Sequence, residues 1–334
     1  MELYAMIYQR LVGDTQLGEL LASFDDRPAI FYQHAPAPDN SKWGEKSPRY
    51  PRIDYIVDLQ ENPARNTSGV LTMNVWCDTE YGAEPETIEA KLRDLLHAAF
   101  AQTDDGVYCL GWARSDAFEA KSEDSKTVHT IGATVIFDLI ACPCIYTLSP
   151  DPIKAMNDWT KTVLPDAVVI GKDTIDGWLV PTRNKPVVYW RLAAQNIQRR
   201  HFTHTWLNVT IEGHVYARNA DDRLYNIVKL NTAQALAGHV PMEDTSPLFL
   251  KEFLCQPHLN YLITGQIRAI GYFGILQPES HFSNKGTGEK LAHINLPREI
   301  VEDGVEMQVD GDSSQGYANE YPLPGNDKYP EQTG

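Results

Sequence analysis

The chain of 334 residues is short of positive charge, of cysteine and of long apolar runs. Twenty-nine Lys and Arg against 45 Asp and Glu leave a formal charge of −16. Such a surface repels a phosphate backbone, so tight nucleic-acid binding would need a basic patch. The clusters present are brief, as in Arg199-Arg200-His201, and read as a solvated turn. Five scattered cysteines, Cys77, Cys109, Cys142, Cys144 and Cys255, make no disulfide framework and fit a reduced compartment. No apolar run reaches the roughly 18 residues of a membrane helix. The longest, Ile131 to Tyr146, is interrupted by Asp138 and Pro143 and reads as a strand. Met1 to Arg10 lacks a basic segment followed by an apolar run, so no secretory leader is expected there.

Apolar residues make up 43%, enough for packed cores, and the length suits two domains of ordinary size. Leu3 to Phe24 has helical spacing, with a candidate break at Gly13-Asp14. A short strand is expected at Ala29 to Tyr32, then a proline-containing loop from Gln33 to Pro51. Ile53 to Leu59 and Gly69 to Cys77 alternate with period two and form a predicted antiparallel hairpin. Pro85 to Phe100 predicts a helix: proline suits the first turn, and Ile88, Leu92, Leu95, Leu96 and Ala99 form one stripe. Val107 to Ser115 and Thr127 to Ile140 are the next predicted strands.

The same order of elements recurs after Pro150. Asp151 to Val163 predicts a helix, Ala167 to Ile170 a short strand, and Val187 to Ala193 with Thr205 to Ala217 a hairpin. Ala220 to Leu236 predicts a helix with Asn219 as N-cap and Leu224, Ile227, Val228, Asn231 and Ala235 on one face. Leu248 to Leu254 and Tyr261 to Leu276 complete the unit. The expected fold is therefore α+β: two tandem modules, 1–145 and 150–276, each a mainly antiparallel sheet flanked by helices, the second a divergent duplicate of the first or an unrelated α+β domain. The segments Pro51-Arg-Ile-Asp-Tyr-Ile and Pro186-Val-Val-Tyr-Trp-Arg are the nearest local match. Residues 277–334 are rich in proline, glycine and acids and are expected to be extended or disordered.

Catalytic patterns are missing. There is no G-x-x-x-x-G-K-[ST], no G-x-G-x-x-G and no G-x-S-x-G. Gly311-Asp312-Ser313-Ser314 has the spelling of a protease serine but sits in the tail, without a scaffold to hold a histidine. Cys142-Pro143-Cys144 has one intervening residue where zinc sites prefer two to four, and no second ligand pair exists. His201 and His204 fall at a predicted strand start, where positions three apart point to opposite faces. Trp76, Trp112, Trp190 and Trp206 lie in predicted strands and read as core or subunit interface. No residue is assigned as catalytic, cofactor-binding or metal-binding, no cofactor is expected, and the chain reads as a non-enzyme.

A family resemblance rests on the N-terminal helix ending near Phe24, the strand Tyr50-Pro-Arg-Ile-Asp-Tyr-Ile-Val, the strand Gly69-Val-Leu-Thr-Met-Asn-Val-Trp-Cys, the helix Pro85-Glu-Thr-Ile-Glu-Ala-Lys-Leu-Arg-Asp-Leu-Leu and the strand Gly132-Ala-Thr-Val-Ile-Phe-Asp-Leu. Over about residues 1–145 the chain resembles the tail terminator, or tail completion, proteins of tailed bacteriophages. The resemblance implies a virion protein, assembled in the host bacterial cytoplasm, that forms a hexameric ring at the end of a tail tube. Its partners would be its own copies, the tail tube protein and neck or connector proteins, with DNA passing through an acidic lumen and no membrane. The chain is about twice the family's length. Three chains in a pseudo-sixfold ring and six chains in two layers both satisfy sixfold symmetry, and the divergence of the halves favours six. Alternatives are another neck or baseplate ring component, a two-domain protein-binding adaptor, or an enzyme with a site at the junction near Cys142 to Pro152.

Overall fold

The computed structural model describes residues 1–276 except 38, 44–48, 61–66, 80–81, 122–127, 147, 202 and 257–264. The expectations for the 277–334 tail and for Gly311 to Ser314 lie outside the described residues. The first half opens with two helices, α1 (Leu3–Val12) and α2 (Thr15–Leu20). They are separate because Asp14 starts α2 afresh: its carboxylate accepts the Leu17 N–H at 2.8 Å as an N-cap. The break expected at Gly13-Asp14 is thus present, while the expected helical reach to Phe24 is wrong at its end. Ser23–Phe24 (β1) instead pairs with Arg27–Pro28 (β2) across a turn at Asp25 and Asp26, both at positive φ.

A mixed sheet follows, formed by β3 (Ile30–Tyr32), β4 (Arg52–Asp58), β5 (Gly69–Asp78), β6 (Ala99–Thr103), β7 (Gly106–Lys121) and β8 (Val128–Ala141). Ile53, Tyr55, Leu71, Met73, Val75, Val135, Phe137 and Leu139 turn one face inward against α1 and α3 (Pro85–Leu96), as period-two alternation requires. The helix α3 stops four residues earlier than its apolar stripe predicts. Ala98 adopts φ 57° and Ala99 pairs with Leu110, so the last two apolar residues of the run belong to a strand that helical spacing had absorbed.

The second half repeats the pattern. Asp151 caps α4 (Pro152–Val163), accepting the Ile153 and Lys154 N–H groups at 2.8 and 3.1 Å. Then come β9 (Val168–Val169), β10 (Trp178–Leu179), β11 (Val187–Arg200), β12 (His204–Tyr216), α5 (Ala220–Ala237), β13 (Val240–Pro241), β14 (Pro247–Cys255) and β15 (Ile267–Leu276). Asn219 caps α5, its side chain accepting the Asp222 N–H at 2.8 Å. The stripe read from the sequence of α5 is not the buried one. Asn226, Ile227, Leu230 and Gln234 face inward, while Leu224 and Val228 are 44% and 52% exposed. The amides of Asn226 and Gln234 hide the true face from a hydrophobicity pattern, and Asn226 donates to Arg183 O at 3.0 Å.

The protein is α+β, with two sheets of the same wiring. The first runs β6-β7-β8-β5-β4-β3 and the second β13-β14-β15-β12-β11-β9. In each, a short edge strand lies parallel to its neighbour and every other pairing is antiparallel. Both also carry a bulge at one place: the β7 ladder slips between Trp112 and Arg114, the β14 ladder between Leu250 and Glu252. Aligning the slips makes Thr72 equivalent to Thr210, Val75 to Gly213 and Ile53 to Trp190. Pro51 then falls opposite Val188 rather than Pro186, so the local match proposed from the letters was two residues out of register.

The halves meet asymmetrically. Phe100, Cys109 and Ile140 of the first sheet pack with Val168, Val187, Tyr189 and Tyr216 of the second, around Cys142 in the connection. The Phe100 and Tyr216 rings stand edge to face at 4.9 Å, and both are fully buried. β10, from the second half of the chain, extends the first sheet by pairing with β6. Both modules thus fall within one compact unit.

Candidate functional site

Thiols and imidazoles are the side chains with latent chemistry. All five cysteines are free. Cys109 and Cys142 are buried side by side at the junction, and burial pushes both thiols up. Cys144 is exposed while Cys142 faces the core, so Cys142-Pro143-Cys144 does not present two sulfurs to one point. His201 and His204 are not on one strand. They flank the β11–β12 turn, His201 N–H donates to His204 O at 2.8 Å, and the rings stack at 4.5 Å. The opposite-faces argument was therefore wrong in its geometry. Among the described residues no group of three or more His, Cys, Asp or Glu is placed to hold a metal ion. No helix among them is long and apolar enough to cross a membrane.

What the modules offer instead is surface. The face of the second sheet turned away from its helices carries an aromatic row across three strands: Phe249 on β14, Tyr272 on β15 and Trp206 on β12. Ring centroids are 5.2 Å apart for the first pair and 5.8 Å for the second. Lys251 lies 4.8 Å over Tyr272, and His204 stands edge-on to Trp206 at 5.6 Å. On the same face Arg191 holds Glu212 at 2.6 Å. The matching face of the first sheet is more polar. Trp76 donates to Asp54 at 2.9 Å, Thr134 to Asn74 at 2.9 Å, and Arg52 covers the Tyr50 and Trp76 rings. Burial raises the Asp54 carboxyl against the opposing pull of Trp76 and Arg52. Of the four tryptophans expected in core or interface, only Trp190 is buried; Trp76, Trp112 and Trp206 are partly exposed.

The helices differ too. The outer face of α3 shows Glu86, Thr87, Arg93 and Asp94. That of α5 shows Leu224, Tyr225, Val228 and Leu236, which with Val163 and Arg183 line a groove of about 750 Å³. No known family model matches this chain, and no curated protein matches it.

The sheet edges complete the picture. β9 pairs with β11 only at Val187 and Val188, so Ala193–Arg200 runs on beside β12 with no strand on its other side among the described residues, every one of its residues exposed. β13 covers β14 only at Pro247 and Leu248, leaving Phe249–Cys255 likewise open. Ile170 N–H donates to Val188 O at 2.9 Å, so the backbone groups of Val188 point away from β12. Alternation, corrected for the slip between Leu192 and Ala194, carries that outward direction to Leu192, Gln195 and Ile197. Gln256 N–H donates inward to Gln266 O at 2.7 Å, and the same reasoning turns Leu250, Phe253 and Cys255 outward. Sequence reading ended β11 at Ala193 and so missed its open edge. Two slips, at Ala193 and Gln198, break the period of two; the only surviving signal was the turn His201 to His204.

Proposed function

We propose that the chain is a ring-forming structural subunit of a phage tail, of the terminator or neck type, and not an enzyme. The observation that carries this reading is the way its two like-wired modules join. The β6 side of one meets the β9–β11 side of the other, so unlike faces of one architecture are held together. Head-to-tail contact between unlike faces is the kind that closes into rings. Exposed apolar helix and sheet surfaces on the second module, together with two uncovered sheet edges, suit further contacts of the same class.

The junction also favours six chains in two layers over three in a pseudo-sixfold ring. In the second module the positions equivalent to Phe100, Cys109 and Ile140 are Pro241, Pro247 and Gly274. In the first, Val187 and Tyr189 are replaced by Tyr50 and Arg52. The outer ends of the chain therefore do not reproduce the inner contact, as a pseudo-sixfold ring would need. Native mass spectrometry of the full chain tests this: six copies are expected, three would favour the pseudo-sixfold ring, and a persistent monomer would defeat the reading. The acidic chain would pass DNA without holding it, so a filter-binding assay at moderate salt should retain no duplex.

A further inference from the structure

We propose that the open edge of β11 (Leu192–Arg200) in one copy pairs antiparallel with the open edge of β14 (Phe249–Cys255) in the next copy, so that the second module's sheet continues from subunit to subunit. The occupant is a second copy of this chain. The proposal rests on the ring reading above and gives it a specific contact.

Strand direction supplies the first argument. From β14 through β15 and β12 to β11 every neighbour is antiparallel, so the two edge strands run in opposite directions. A second sheet laid beside the first in the same orientation then brings β14 against β11 as an antiparallel pair. The operation repeats without limit or closes into a ring, and it uses two different faces, as cyclic assembly requires. The outward N–H and C=O groups of Gln195 and Ile197 would meet those of Leu250, Phe253 and Cys255.

Composition supplies the second. Exposed strand edges in proteins are ordinarily guarded by charge. The open edge of the first sheet is guarded in this way: beyond the stretch covered by β6, β7 carries Arg114, Asp116 and Glu119, with Arg114 and Asp116 3.1 Å apart. The equivalent strand of the second module, β14, also carries charge at Lys251 and Glu252, but beyond them it exposes Leu254 at 48%; on β11, residues 193–198 contain no charge and Ile197 is 48% exposed. Antiparallel pairing also sets the β11 end carrying Arg199 and Arg200 near the start of β14, where the β13–β14 turn carries Asp244. Finally, the chain already extends one sheet in this manner, since β10 adds to the free side of β6.

The test is cross-linking in the full chain. Asn196 and Leu254 are exposed, and both side chains lie on the sheet face turned away from the helices. In a Cys144→Ser, Cys255→Ser background, Asn196→Cys with Leu254→Cys and a short bismaleimide should give a covalent ladder of dimer, trimer and upward to ring size. Either single cysteine alone should give none. Dimers from Asn196→Cys alone would mean that β11 pairs with itself about a twofold axis and would overturn the proposal. Ile197→Pro removes an outward N–H while leaving the β12 ladder intact, and should raise the concentration for half-assembly at least tenfold with the monomer still folded by circular dichroism. Rings that persist in Ile197→Pro, with no ladder from the double cysteine, would sink the edge pairing while leaving the ring reading standing. A wild-type chain that neither cross-links nor associates would remove both.

Discussion

At one equivalent position in the two cores, the first module places Val75 across from Ile53, and the second places Gly213 across from Trp190. The volume that one pair divides between two middle-sized side chains, the other gives wholly to an indole. Trp190 is buried and donates to Thr160 Oγ1 at 2.8 Å, and its ring lies directly over Gly213, where an added Cβ would come within 2.3 Å. Two sequences with almost no letters in common thus satisfy one wiring by filling the same space differently, as close-packed interiors permit when total volume is kept. The outer surfaces are under no such constraint. There the modules part: the open strand and helix of the first show mainly charged groups, while those of the second also expose Leu254 on the strand and Leu224, Val228 and Leu236 on the helix.

The largest effect expected from disturbing this arrangement is at the junction. Phe100→Ala should cost about 3–5 kcal/mol, because a fully buried ring is lost beside Tyr216. Chemical denaturation should show one transition in the wild type and a lowered, divided one in the variant. A single unshifted transition would mean that the modules do not share the core described. Next is the packing swap. Gly213→Val should destabilise by about 1–3 kcal/mol or more through overpacking against Trp190, and Trp190→Ile added to it should recover part of the loss. Failure of the second change to rescue the first would break the equivalence of the two pairs, and a thermal melt of the three variants decides it.

A smaller effect should be confined to the first module. His97 follows α3, and its Nδ1 accepts the Trp112 N–H at 3.0 Å, an acceptor role open only to the neutral ring. Burial, helped by the Arg93 and Arg223 charges, lowers its pKa below the ordinary 6.5. With the folded value depressed, the unfolded chain takes up a proton first as pH falls. Stability should therefore decline from about pH 6.5 down through the lowered value and not above it. The equivalent position in the second module is Gly238, which has no such dependence. His97→Gln should flatten the decline in a urea titration repeated between pH 7.5 and 5; an unchanged slope would assign the effect elsewhere. Smallest of all, Val228→Ser on the exposed face of α5 should change stability by no more than about 0.5 kcal/mol. If it costs several times that, the face is covered within the monomer and is not a free surface.

The order of the longer elements, though not the short strands β1, β2, β6, β10 and β13, was readable from the letters because period-two runs such as Leu71, Met73, Val75 and Leu207, Val209, Ile211 bury alternate residues whatever surrounds them. The Asn219 cap was readable as well, since it acts within one turn of itself, whereas Asp151, read as the first helical residue, proves to be a cap. Local chemistry of that kind fixes existence and type of an element. It did not fix where α3 ends, since Ala99 and Phe100 continue a helical stripe and only pairing with β7 makes them a strand. Nor did it identify the inner face of α5, whose buried Asn226 and Gln234 need tertiary hydrogen bonds or packing that no period reveals. The open edge of β11 was hidden by two bulges, which exist only as a mismatch between two strands. By itself the sequence determined the α+β class and the repeated order of elements, because propensity and alternation act over a few residues. Which strand ends stay uncovered, and which unlike faces the two modules join, were decided by tertiary structure, because both depend on residues a hundred positions apart coming within a few ångströms.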